Sequence, residues 1–96
     1  MMSEKILTLH PSPDKMGVHI DKRKYTLIKK AILSSIKSHE QIRFKPTLIS
    51  SVKENLEPTF DGSISWYVTT VKLDLEARGS IERIPKVSPQ QLRMKS

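Results

Sequence analysis

Cysteine is absent from these 96 residues, which excludes disulfides, Cys-ligated zinc and a thiol nucleophile and leaves the chain indifferent to redox compartment. Glycine occurs three times, too sparsely for a phosphate-cradling loop. Aromatics make up 5% and hydrophobic residues 36%, so Ile, Leu and Val must build the core, with little reserve for a deep ligand cavity. No run approaches the ~20 apolar residues of a membrane span. The opening "MMSEKILTLHPSP" has too short an apolar run for a signal peptide. These absences predict one soluble, cytoplasmic domain with no membrane association, since a chain of this length cannot fill two cores.

Catalytic chemistry is equally sparse. His10, His19 and His39 lack the i,i+4 pairing or carboxylate partners of a metal site and read as surface or capping residues. No Ser-His-Asp pattern or close pair of catalytic acids is visible, and "DGS" at Asp61 to Ser63 reads as a turn and helix cap rather than a nucleophile. The expectation is a protein that is not an enzyme and uses no metal or cofactor.

Positive charge is what the chain does have. Seventeen Lys+Arg against ten Asp+Glu give a formal charge of +7, a balance that suits polyanionic partners such as nucleic acid. Many small proteins are basic without such a role, so the order of elements has to carry more of the argument.

Residues 1–20 hold two extended pieces, "KILTLH" and "GVHI", separated by "PSPDKMG", and read as an N-terminal arm lying on the body or on a second subunit. Asp21 is placed to cap a helix "KRKYTLIKKAILSSIKSH", in which Tyr25, Ile28, Ile32 and Ile36 mark one buried face. Arg23, Lys30 and Lys37 recur near its other side, as a solvated face or an anion-facing stripe. "QIRF" alternates as a strand would, and Pro46 suits the first turn of a second helix burying Leu48, Ile49, Val52 and Leu56. After the turn "PTFDG", Asp61 or Ser63 can cap a third helix to Arg78, with Ile64, Val68, Val71 and Leu75 on one face. Gly79 stops it, and "SIERI" and "QQLRM" flank a proline-bounded loop "PKVSP" as two antiparallel strands.

This order, with the "V..V...L" rhythm running into "LEARGSIER", resembles a winged helix-turn-helix domain. The arm "ILTLHPSPDKMGVHID" and the block "FDGSISWYVTTVKLDLEARG" are similar to a small bacterial family of uncharacterised winged-helix-like proteins. The resemblance implies a mainly α fold with a small β-sheet (α+β): three helices and a C-terminal β-hairpin wing over residues 21–96, after the extended arm. It further implies duplex DNA as partner, with the third helix in the major groove and the wing on phosphate, and a homodimer with a possible role in transcriptional regulation.

On that pattern Ser65, Thr69 and Lys72 lie near the groove, and Arg78, Arg83, Lys86 and Arg93 face phosphate. Of the early helix positions only Lys72 is cationic, so contact with the DNA backbone is expected over tight operator recognition. Asp74 and Glu76 form an acidic end to the exposed face. Trp66, Thr69, Thr70, Leu73 and Ala77 fall on a second stripe that wants a cover. The arm, a partner or second copy at Trp66 and Leu73, or a nucleotide against the indole would each supply one. A rival reading follows from that stripe: an interaction module with no nucleic-acid role.

Overall fold

A computed structural model describes residues 4–12, 14–56, 60–87 and 90–95 of the protein. The two extended pieces expected of the N-terminal arm pair with each other as a two-stranded antiparallel sheet. Strands β1 (Lys5–Leu7) and β2 (His19–Asp21) pair with Ile6 opposite Ile20. Beyond them Thr8 closes the hairpin twice over: its N–H and its hydroxyl both donate to the Val18 carbonyl, at 2.9 and 3.0 Å, and Val18 N–H donates back to Thr8 Oγ1 at 3.0 Å. The two segments approach so closely at Gly17 that a Cβ there would lie 1.6 Å from the Thr8 carbonyl oxygen.

Helix α1 (Lys22–His39) starts where the sequence places it, with the Asp21 carboxylate accepting from Arg23 N–H at 3.1 Å. The side-chain oxygen satisfies a donor that has no intrahelical partner. Tyr25, Ile28, Ile32 and Ile36 are buried as their spacing predicts. The chain leaves the helix through Glu40 at φ 60° into β3 (Gln41–Arg43).

Pro46 stands in the first turn of the second helical stretch, as its position suggests: a wide π-helical turn over Phe44–Leu48 runs directly into α2 (Ile49–Leu56), and Ile49 N–H donates to the Pro46 carbonyl. A residue before proline is pushed out of the helical region, and Lys45 is extended, with φ −119° and ψ 136°. The Lys45–Pro46 peptide is cis. Leu48 and Val52 are buried, and Ile49 and Leu56 are half-buried against the same core. The expected turn at Pro58 and Thr59 and the loop end at Ser88 and Pro89 lie outside the described residues.

Ser63 is the cap of α3 (Ile64–Ala77), its Oγ accepting from Trp66 N–H at 3.2 Å. Gly79, at φ 79°, ends the helix: its N–H donates to the Glu76 carbonyl at 3.1 Å, and Ser80 N–H donates to the Leu75 carbonyl at 2.9 Å. This is the paired closure of a left-handed helix terminus, and it sends the chain directly into β4 (Ile81–Arg83). The last strand, β5 (Gln91–Met94), pairs antiparallel with β4, as the sequence suggests, and also with β3, giving the order β3-β5-β4. Ile42, Leu92 and Ile81 are buried and join the helices in a core built almost wholly of Ile, Leu and Val. Each such side chain stabilises the fold by ~1.5–3 kcal/mol when fully buried.

Among the described residues the architecture is therefore α+β, three helices with two small sheets whose strands are spread through the chain. No helix of the described residues is long and apolar enough to cross a membrane.

Two glycine substitutions separate space from conformation. Gly79→Ala meets no atom within 4 Å and pays only for its left-handed φ, ~1–2 kcal/mol in urea unfolding. Gly17→Ala forces a backbone clash, and the expected result is loss of amide protection at Thr8 and Val18 by hydrogen exchange. Retained protection there would show that the hairpin can absorb the added methyl.

Candidate functional site

Helix α3 holds most of the expected site and is covered on more sides than a single apolar stripe requires. It packs against α1, α2 and β4. Ser65 and Thr69 are half-buried, and Thr69 Oγ1 donates back to the Ser65 carbonyl at 2.9 Å. Lys72, expected beside the groove, is only 2% exposed. Its ammonium lies 4.8 Å from the centre of the Phe44 ring and 3.5 Å from Glu76 Oε2. Burial pushes its pKa below the usual lysine value; Glu76 opposes that shift and nearby Arg83 adds to it. Lys72 was expected beside the groove, but an ammonium stacked on an internal ring is not presented to a phosphate.

Asp74 corrects the expectation of an exposed acidic end more sharply. It is 0% exposed, and three segments supply its donors. Leu9 N–H donates to Oδ1 at 2.8 Å, the Tyr25 hydroxyl donates to Oδ2, and Arg78 Nε lies 2.9 Å from both oxygens. Arg78 Nη2 then reaches the Leu7 carbonyl at 3.4 Å. Burial, with the adjacent carboxylate second, pushes the Tyr25 phenol up to about 12. The hydrogen bond to Asp74 holds the Arg78 guanidinium above its ordinary value. Arg78 was expected on phosphate, and it instead anchors the N-terminal hairpin to the C-terminal end of α3.

The cations after α3 divide in the same way. Arg93 pairs with Glu82 across β4 and β5 at 2.6 Å. Arg83 and Lys86 are exposed and have no ion pair among the described residues. Sequence reasoning missed two further exposed cations, Arg43 and Lys45. Strand register puts Arg43 opposite Gln91, whose carbonyl accepts from Ile84 N–H on its other side at 2.9 Å. Arg43 and Lys45 thus share the end of the sheet from which the segment carrying Lys86 departs. No local motif marks them, since their position depends on a pairing between strands some fifty residues apart.

Of the stripe that wanted a cover, Leu73 is half-buried and Trp66 is 47% exposed. The hairpin does not close over Trp66, being anchored at the other end of the helix. The histidines serve locally: His10 Nδ1 accepts from Ser12 N–H at 3.0 Å, His39 Nδ1 lies 2.8 Å from the Ser35 carbonyl oxygen, and His19 sits in β2 opposite Leu7. Among the described residues no three His, Cys, Asp or Glu side chains gather as metal ligands would.

Residues 5–92 match a family described as a family of unknown function, DUF6958, and the chain belongs to it. No curated protein and no solved structure matches the chain.

The carboxylate centre has a pH signature. The folded chain keeps the Tyr25 proton until about pH 12, whereas an unfolded tyrosine loses its proton near pH ~10. The stabilisation is whole below pH ~10 and is lost as pH rises from there towards 12. Tyr25→Phe should cost ~1–3 kcal/mol at neutral pH, by leaving a buried acceptor short of a donor, and the gap to the parent protein should close across that alkaline window. Urea unfolding of both proteins as a function of pH checks this.

Proposed function

We propose that this member of the family is a cytoplasmic winged helix-turn-helix protein that binds duplex DNA as a homodimer, chiefly through backbone phosphates, in a regulatory role. The order α1–β3–α2–α3–β4–β5 supports this reading, because the Gly79 turn joins the third helix rigidly to a two-stranded unit that would serve as the wing. The observation that carries it is that Arg43, opposite Gln91, and Arg83, opposite Leu92, stand in adjacent rows at one end of the sheet, on its two faces, with Lys45 and Lys86 on the segments that leave that end, all four exposed and without carboxylate partners among the described residues. Exposed, unpaired cations are the groups that can exchange solvent for phosphate and release counterions. Ser65 and Thr69 stay in the proposal as hydroxyls on the first two turns of α3, whereas Lys72 is buried and Arg78 and Arg93 are engaged by Asp74 and Glu82.

A second reading, an interaction module without nucleic acid, draws support from the exposed Trp66 and from Leu7, Leu9, Met16 and Val18, all exposed on the N-terminal hairpin. With Leu73 only half-buried, either the Trp66 end of α3 or the hairpin would seat a protein partner.

Fluorescence anisotropy of a labelled mixed-sequence duplex across a salt series decides between them. Four phosphate contacts give a slope of log K against log salt of roughly −3.6. The double charge reversal Arg83→Glu, Lys86→Glu should weaken binding to every sequence and bring the slope to about −1.8. An unchanged slope removes the sheet end from the mechanism, and no binding at low salt leaves the interaction module standing.

A further inference from the structure

We infer that Trp66 is a stacking platform for an unpaired nucleobase, a site separate from the cations at the sheet end; the inference rests on the nucleic-acid reading of the partner. The indole sits on the first turn of α3 and remains 47% exposed. Its position is nevertheless fixed. The backbone N–H of Trp66 is held by the Ser63 cap, and the ring itself meets Tyr67 at 4.9 Å between centres and 83° between planes, while Tyr67 meets Phe60 at 5.2 Å and 76°. A chain of near-perpendicular rings of this kind immobilises the outermost one, so little rotamer freedom remains to be lost on binding.

Lys24 brings charge to the same place. Its ammonium lies 5.4 Å from the centre of Tyr67 and 5.7 Å from that of Phe60, within reach of a phosphate flanking a stacked base. Asp61, 4.0 Å from Lys24 and fully exposed, is the competing anion and is screened by water. On the helix surface, residues three and four positions away are neighbours, and within α3 those of Trp66 are Thr69 and Thr70, with the capping Ser63 hydroxyl at its backbone. These hydroxyls suit a sugar–phosphate chain, whereas a helix or sheet of a protein partner would meet few aliphatic groups there. The exposed aliphatic residues of the N-terminal hairpin are not beside it, because the hairpin is anchored at Asp74, ~12 Å further along α3. Bases within a duplex are already stacked, so the platform selects a single strand, an overhang or a bulge.

The chain has one tryptophan, and its emission reports on this site alone. The protein is titrated with end-labelled oligothymidine and with a blunt duplex of equal length, following indole emission and label anisotropy together. The expected result is quenching by the single strand and anisotropy without quenching for the duplex. Trp66→Ala should loosen the single strand about tenfold, the scale of one base–aromatic stack, and leave the duplex unaffected. Trp66→Phe, which keeps an aromatic ring, should recover part of the loss. Single-strand binding with undisturbed emission overturns the platform, as does a Trp66→Ala variant that changes only the oligomeric state in sedimentation, which would assign the indole to contact between copies. Quenching that persists when duplex binding is absent sinks the sheet-end reading alone, and silence in both channels sinks both.

Discussion

The arrangement of this protein depends on satisfying one carboxylate that water cannot reach. An unpaired buried carboxylate costs several kcal/mol, so Asp74 at 0% exposure constrains every group that can donate to it. Those groups belong to three parts of the chain: the Leu9 amide of the N-terminal segment, the Tyr25 hydroxyl of α1, and Arg78 at the end of α3 itself. Fixing Arg78 also fixes the helix terminus, where Gly79 and Ser80 close the last turn and lead into β4. The hairpin, the helix pair and the sheet therefore meet around one side chain.

The same economy of polar groups governs how the positive charge is used. The formal charge of +7 counts every cation alike, yet Lys72 lies buried against Phe44 and Glu76, Arg78 serves Asp74, and Arg93 serves Glu82. What remains for a polyanion lies on more than one surface: the cations at one end of the sheet, and Arg23, Lys30 and Lys37 on α1, are exposed and without an ion pair among the described residues. Net charge attracts a nucleic acid from a distance.

Much of the local structure was legible in the sequence because its causes lie within one or two turns of chain. Asp21 and Ser63 cap α1 and α3, the apolar spacing names their buried faces, and Gly79 ends α3. Pro46 opens the second helical stretch, and it also acts on the residue before it, leaving Lys45 extended. The candidate site was less legible. The two apolar stripes of α3 leave Lys72 and Asp74 between them, and packing against α1, α2 and β4 buries both. Arg43 and Lys45 carried no signal at all, because nothing near them in sequence indicates that β3 pairs with β5.

By itself, then, the sequence determined where helices begin and end, which of their residues face inward, and that cysteine chemistry is impossible, because caps, periodicity and composition are local or global properties of the chain. Only the tertiary structure decided that the N-terminal segment is a docked hairpin, that β5 lies between β3 and β4, and that Asp74 and Lys72 belong to the interior while Trp66 stays at the surface. Those outcomes depend on which distant groups satisfy a buried charge, and neither spacing nor composition encodes a partner sixty-five residues away.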